Sequence, residues 1–160
     1  MTTPGGQIIG LDPGVETGCA IFQDSRLIEL LTLTPIGALR FLEQAQGVRL
    51  VCVEDSRMQQ AVFTAKGHGP DKALKIARDV GRIDQLCALI DAVCQEKKLQ
   101  IVQISPLAKG KKLTHDEFLM KAPYWQKPSN PHTRDAFSVA WLFRHYRPRS
   151  ERAVRQEAAV

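Results

Sequence analysis

The chain has 160 residues, a net charge of +5, 44% hydrophobic residues and 24% charged residues. That length accommodates one domain with a real core, and that balance is ordinary for a globular protein rather than a disordered or fibrous chain. No apolar run approaches the roughly 18–20 residues needed to cross a bilayer, and the lead-in Met1-Thr2-Thr3-Pro4-Gly5-Gly6 lacks the basic start and apolar core of a signal peptide, so a cytoplasmic, non-membrane protein is expected.

In chain order, 1–6 reads as a flexible lead-in, 7–146 as one domain and 147–160 as a basic, weakly ordered tail. Residues 7–12 form an apolar strand ending on Asp12, followed by the Pro13-Gly14 turn. Strands over 18–23 and 27–33 follow, joined by the tight turn Asp24-Ser25-Arg26, so the chain starts as an antiparallel meander. Thr34-Pro35 caps and opens a helix to about Gln46, with Leu39, Phe41 and Leu42 as core contacts and Gly47 as its stop. Leu50-Val51-Cys52-Val53 is a short, mostly β-branched run of the kind found in a buried central strand, and it ends on Glu54.

The segment 56–69 lacks clear periodicity and reads as a loop, with some helix around Ala61. Residues 71–97 form the longest helix, in which Leu74, Ile76, Val80, Ile83, Leu86, Cys87, Ile90, Val93 and Cys94 make one broad apolar face. A strand over 101–104, a basic loop over 107–112 and a short helix opened by the capping box Thr114-His115-Asp116-Glu117 come next. A proline-rich loop leads to a last helix over 132–146, whose apolar contacts are Phe137, Val139, Ala140, Leu142 and Phe143. The order β-β-β-α-β-α-β-α-α implies an α/β fold: a mixed five-stranded sheet flanked by helices.

Cys19, Cys52, Cys87 and Cys94 form no CxxC pair and sit in apolar surroundings, as reduced buried thiols do. Lys97, Lys98, Lys109, Lys111, Lys112, Lys121 and Lys127 crowd one fifth of the chain, and Arg144, Arg147, Arg149, Arg152 and Arg155 crowd the tail. Such clustering suits a polyanion, most often nucleic acid, or else a solvated basic face.

An acid at the end of a buried strand is costly without a compensating charge. Asp12 and Glu54 both occupy such positions, and emerge at the same sheet edge if their strands are parallel neighbours. His132 and Asp135 lie three apart in the first turn of the last helix and share a face. If that helix packs on the same edge, the four groups can hold two divalent ions and hydrolyse a phosphodiester. Singly, each has a plainer reading. Asp12 can be a turn former, Glu54 a partner of Arg57 or of a lysine, Asp135 a helix-dipole acid and His132 a surface cap. Asp55, Asp116 and Glu117 read as solvent, capping or supporting acids.

With these residues in view, the chain resembles the RuvC family of Holliday-junction resolvases in the RNase H-like superfamily. Ile8-Ile9-Gly10-Leu11-Asp12-Pro13-Gly14 with Gly18 is similar to the first motif of that family, and Val51-Cys52-Val53-Glu54 to its second acidic strand. Arg78-Asp79-Val80-Gly81-Arg82 resembles part of its central helix, and Asn130-Pro131-His132 through Asp135-Ala136 its terminal motif. The resemblance implies an RNase H-like fold, a homodimer and symmetric nicking of four-way DNA junctions. It also implies dependence on divalent metal, two Mg2+ per site with Mn2+ as a substitute. Asp12, Glu54, His132 and Asp135 become metal ligands and catalytic residues.

By the same resemblance Lys109, Lys111 and Lys112 fall near the scissile phosphate, and Met58 or Phe63 near the junction centre, with Arg57 and Lys66 among the DNA contacts. The local sequence Asp55-Ser56-Arg57-Met58-Gln59-Gln60 departs from the usual form after the second acid, which is compatible with a phage or prophage relative. The alternatives are a flap or fork nuclease of the same fold, an actin-like ATPase, and a DNA-binding module without catalysis.

Overall fold

Side chains alternate between the two faces of a strand, and the first apolar run puts both of its faces to use. Ile8 faces one core and Ile9 and Leu11 the other. In the computed structural model, which describes residues 5–59, 67 and 69–148, this run is β1 (Gln7–Asp12). It pairs antiparallel with β2 (Thr17–Gln23), and β2 pairs antiparallel with β3 (Arg26–Leu33). Asp24 and Ser25 turn the chain between β2 and β3 with φ of 51° and 67°, the positive values that a tight hairpin turn requires.

Thr34 caps α1 (Pro35–Gln44), its hydroxyl accepting from the Gly37 N–H at 3.0 Å. β4 (Val48–Glu54) then lies parallel to β1, and β5 (Ile101–Ile104) parallel to β4. The sheet order is β3-β2-β1-β4-β5. Between β4 and β5 come a single 3-10 turn (Ser56–Met58) and the long α2 (Pro70–Glu96). The chain closes with α3 (His115–Lys121), which carries the expected Thr114/Glu117 capping box, and α4 (Pro131–Trp141).

The mixed five-stranded sheet flanked by helices is therefore as expected. On one face Ile8, Ala20, Phe22, Leu50 and Cys52 pack with Phe118 of α3 and Ala136, Phe137 and Ala140 of α4. On the other, Ile9, Leu11, Cys19, Val51 and Val53 pack with Leu42 of α1 and Leu86, Ile90 and Cys94 of α2. All four cysteines are buried and free. Burial pushes the Cys19 thiol up to about 12 and the Cys94 thiol up to about 11. No helix among the described residues is long and apolar enough to cross a membrane.

Two expectations need correction. The apolar face of α2 is buried only in the C-terminal half. Leu86, Cys87, Ile90 and Cys94 are in the core, whereas Leu74 is 66% exposed. A 27-residue helix is about 40 Å long and outruns strands of four to eight residues. The last helix ends at Trp141 rather than near Tyr146. Beyond it Phe143 N–H donates to Ala140 O and Tyr146 N–H to Phe143 O, which are turn bonds, and Leu142 is exposed. The segment around Ala61 and residues 149–160 of the basic tail lie outside the described residues.

Candidate active site

The parallel pairing of β1 and β4 sets Leu11 beside Val53. The next residues, Asp12 and Glu54, therefore leave the sheet at the same edge, where α/β sheets bind ligands. α4 brings the other two candidates. Its start is fixed by Asn130, whose Oδ1 accepts from the Thr133 N–H at 2.9 Å while the Thr133 hydroxyl accepts from the Asn130 N–H at 2.9 Å. The Asn130 side-chain amide also donates to Thr32 Oγ1 of β3 at 2.8 Å, which ties this cap to the sheet.

α4 lies directly on β1 and β2 because two glycines leave room for it. A Cβ at Gly10 would fall 2.3 Å from the Ala136 carbonyl oxygen, and one at Gly18 would fall 2.0 Å from the His132 carbonyl oxygen. Gly18 is the cross-strand partner of Asp12. The glycines of the first motif therefore set the distance between Asp12 and the helix that carries His132 and Asp135.

At the centre of the acids stands Lys109. Its ammonium lies 2.6 Å from Glu54 Oε2 and 3.2 Å from Asp135 Oδ2, and its side chain is only 5% exposed. Burial alone would lower its pKa, but the Glu54 hydrogen bond and the surrounding carboxylates outweigh that, and the ammonium is held above its ordinary range. Asp12 is shifted in the same direction, which for an acid disfavours the charged form. Burial first, then the neighbouring Glu54 charge, push its carboxyl up to about 6, while Lys109 partly offsets this.

His132 stands beside Asp12, with Nδ1 3.6 Å from Asp12 Oδ2 and Nε2 3.6 Å from Glu16 Oε2. Both distances are longer than a hydrogen bond. An open cleft of about 380 Å³ adjoins the acids, lined by Asp12, Glu54, Gln59, Lys109 and Lys112 among others.

All four residues proposed from the sequence thus meet at one edge. Among the described residues, no three histidine, cysteine or acidic side chains form a preassembled metal cage. Instead Glu54 and Asp135 close on the ammonium between them. The donor set, three carboxylates and one imidazole, suits a hard divalent cation. The raised carboxyl of Asp12 is what an acid cluster awaiting more positive charge displays.

The DNA-contact candidates divide. Lys112 is 79% exposed at the cleft, its Nζ 3.8 Å from Asp135 Oδ2. Lys111 is exposed and paired with Glu117. Met58 is exposed, while Phe63 and Lys66 lie outside the described residues. Arg57 is held by Asp55, through Nε at 2.9 Å and Nη2 at 2.6 Å, and the Arg57 N–H also donates to Asp55 Oδ1 at 3.0 Å. Asp55 is thus a buried clamp rather than a solvent acid, and its charge fixes the turn that follows Glu54. Ser56 adds a second tie, donating to Asp84 Oδ1 of α2 at 2.7 Å.

The Arg57 hydrogen bond holds the Asp55 carboxyl below its ordinary value of 3.8. The stabilisation it contributes is complete above that value and is lost as pH falls through the lower, folded value. Asp55→Asn should therefore cost about 1–2 kcal/mol at pH 7 and at pH 5, because the Arg57 end is partly solvated. The deficit should close below about pH 3.8, as urea unfolding at several pH values would measure.

Three features escaped the reading of the sequence. Glu16 lies in the Pro13–Thr17 turn, and nothing in its neighbours marks it as the second companion of His132. Lys109 was legible as one basic residue among several in a loop, not as the one inside the acid cluster. The Ser56–Asp84 tie joins residues 28 apart. The plainer reading of Glu54 as the partner of a lysine, and the resemblance that puts Lys109 near the scissile phosphate, pointed toward this pair without singling out Lys109 from its neighbours.

No family model matches the chain, and no curated protein matches it. Solved structures do. A structure described as Thermus thermophilus RuvC in complex with a Holliday junction substrate superposes with a TM-score of 0.56 at 15% identity, covering 85% of this chain and 90% of that one. A second Thermus thermophilus RuvC structure gives 0.53 at 15% identity over 84% and 91%. The likeness is one of architecture, and the chain has the helix-flanked, RNase H-like mixed sheet of the RuvC structures.

Proposed function

We propose that the chain is a divalent-metal-dependent endonuclease acting on branched DNA, with the four-way junction as its principal substrate. The observation that carries this reading is the convergence of Glu54 and Asp135 on one buried ammonium, with Asp12 beside them at the end of two parallel strands. A purely structural role would not call for three carboxylates at the mouth of an open cleft. The cleft is open and carries Asp12, Glu54, Lys109 and Lys112 in its lining, which suits a polymer backbone better than an enclosed small ligand. The solved neighbour with a Holliday junction supports the choice of substrate.

Asp12, Glu54, Asp135 and His132 would hold two Mg2+, with Mn2+ as a substitute, and these supply Lewis acidity for water activation and charge neutralisation at the leaving oxygen. Lys112 meets the phosphate backbone from the open side of the cleft. Met58, exposed at the start of the segment after Glu54, would touch unpaired bases near the branch point. A homodimer follows from the same reading. The apolar groove between α1 and α2, about 670 Å³ and lined by Ile36, Leu39, Leu86 and Leu89, is its candidate face. A cytoplasmic location, in a bacterium or a phage-infected host, completes the proposal.

The test is nicking of a synthetic four-way junction beside linear duplex, flap and fork substrates, with Mg2+ or EDTA. Paired nicks confined to the junction support a resolvase. Cleavage of every branched substrate makes the protein a broader nuclease, and binding without cleavage under any metal removes the catalytic reading. Lys111→Ala with Lys112→Ala should weaken junction binding roughly tenfold at low salt and reduce the slope of log K against log[salt] by about 1–2. Fluorescence anisotropy across a salt series measures both, and an unchanged slope would move the phosphate contacts elsewhere.

A further inference from the structure

Lysine ammonium groups are rarely buried without a partner, and that of Lys109 has two. It lies 2.6 Å from Glu54 Oε2 and 3.2 Å from Asp135 Oδ2 with a 5% exposed side chain. It also carries part of the charge compensation of Asp12. It therefore stands where a cation bridging β4 and α4 would stand. A divalent ion on the same two oxygens and an ammonium between them cannot coexist, because like charges a few ångströms apart in a desolvated site repel strongly.

The segment that carries Lys109 is a loop tied by local bonds and a glycine. The loop after β5 is held by short bonds of its own, Ala108 N–H to Ser105 O at 2.9 Å, Leu107 N–H to Ser105 Oγ at 3.3 Å and Gly110 N–H to Leu107 O at 3.4 Å. Gly110 sits at φ +88° with nothing near its missing Cβ, so it can change conformation without a steric barrier. Leu107 is exposed and does not anchor the loop in the core.

We propose that Lys109 is a resident cation that occupies one of the two divalent-ion positions, so that the site takes up its second ion only when the ammonium leaves the Glu54–Asp135 pair. This rests on the metal-binding reading above and adds an order to it. One ion binds at Asp12 and His132. The position between Glu54 and Asp135 opens when an anion such as a DNA phosphate offers the ammonium another partner. Because coupling is reciprocal, whatever draws Lys109 out also tightens metal binding.

The experiment is Mn2+ binding to the metal-free full chain, with free Mn2+ counted by electron paramagnetic resonance. Wild type should bind one Mn2+ per chain. Lys109→Met, similar in length and uncharged, should bind two, with the overall affinity raised roughly tenfold or more. Lys127→Met should behave as wild type, because that ammonium is 62% exposed and pairs with Glu29 rather than with the acids of the site. The melting temperature of Lys109→Met in EDTA should fall and be restored by Mn2+; a merely structural lysine would show the fall without the restoration.

Should Lys109→Met fail to fold, Lys109→Arg keeps the charge and should keep the single-ion state; two ions in Lys109→Arg would overturn the proposal. Two ions in wild type with affinity unchanged in Lys109→Met would also overturn it, while leaving the metal site intact. No Mn2+ bound by wild type or by Lys109→Met would remove the metal reading itself and this inference with it.

Discussion

Gly18→Ala is expected to destabilise the protein by about 3–4 kcal/mol and to lower any metal-dependent cleavage by at least about a hundredfold. The added methyl would fall 2.0 Å from the His132 carbonyl oxygen and 2.9 Å from the Thr133 nitrogen. Both are backbone atoms in the first turn of α4, so no side-chain rotation relieves the overlap. The helix must lift, and it carries Phe137, Val139 and Ala140 out of a close-packed core as it does so. It also carries His132 and Asp135 away from Asp12, the residue paired with Gly18 across the strands.

Gly81→Ala supplies the control. Gly81 lies within α2, and nothing stands within 4 Å of its missing Cβ. There the same substitution should stabilise by about 0.5–1 kcal/mol, since alanine is the better helix former. Urea unfolding of both variants checks the opposite signs. Equal small effects would mean that α4 does not depend on the glycines.

Asp12→Asn is expected to lower cleavage at least about a thousandfold and, in the absence of metal, to make the protein more stable. The Asp12 carboxyl is raised from 3.8 to about 6, by burial first and then by Glu54. For a group whose folded pKa lies above its unfolded one, the stabilising contribution is complete below about 3.8 and is lost as pH rises through about 6. At neutral pH the ionised carboxylate therefore costs on the order of 1–3 kcal/mol, and the amide removes that cost.

In EDTA at pH 7.5 the melting temperature of Asp12→Asn should exceed that of wild type, and the gap should shrink as pH falls toward 4. Added Mg2+ should reverse the order, because ligand binding to the folded state stabilises it and the amide is a poor replacement for a ligand carboxylate. Differential scanning fluorimetry with and without Mg2+ measures both effects. A destabilised Asp12→Asn that still responds to Mg2+ would place the ion elsewhere.

Much of the fold could be read locally. The bounds of β1 and β5, the Thr34 and Thr114 caps and the acids closing β1 and β4 follow from neighbours within four residues, and the structure reproduces them. Where the reading failed, distant contacts decided the outcome. The apolar period of α2 starts at Leu74, but Leu74 is exposed and only Leu86, Cys87, Ile90 and Cys94 of that face are buried in the core.

By itself, the sequence determined which elements form, in what order, and which acids stand at strand ends, since propensity, capping and alternation are properties of short windows. Only the tertiary structure decided how those acids meet. It set the α4–sheet distance through Gly10 and Gly18, and it brought Lys109 from a loop across to Glu54 and Asp135. Charge compensation in a buried site depends on distance in space, and residues dozens of positions apart carry no local signal of it.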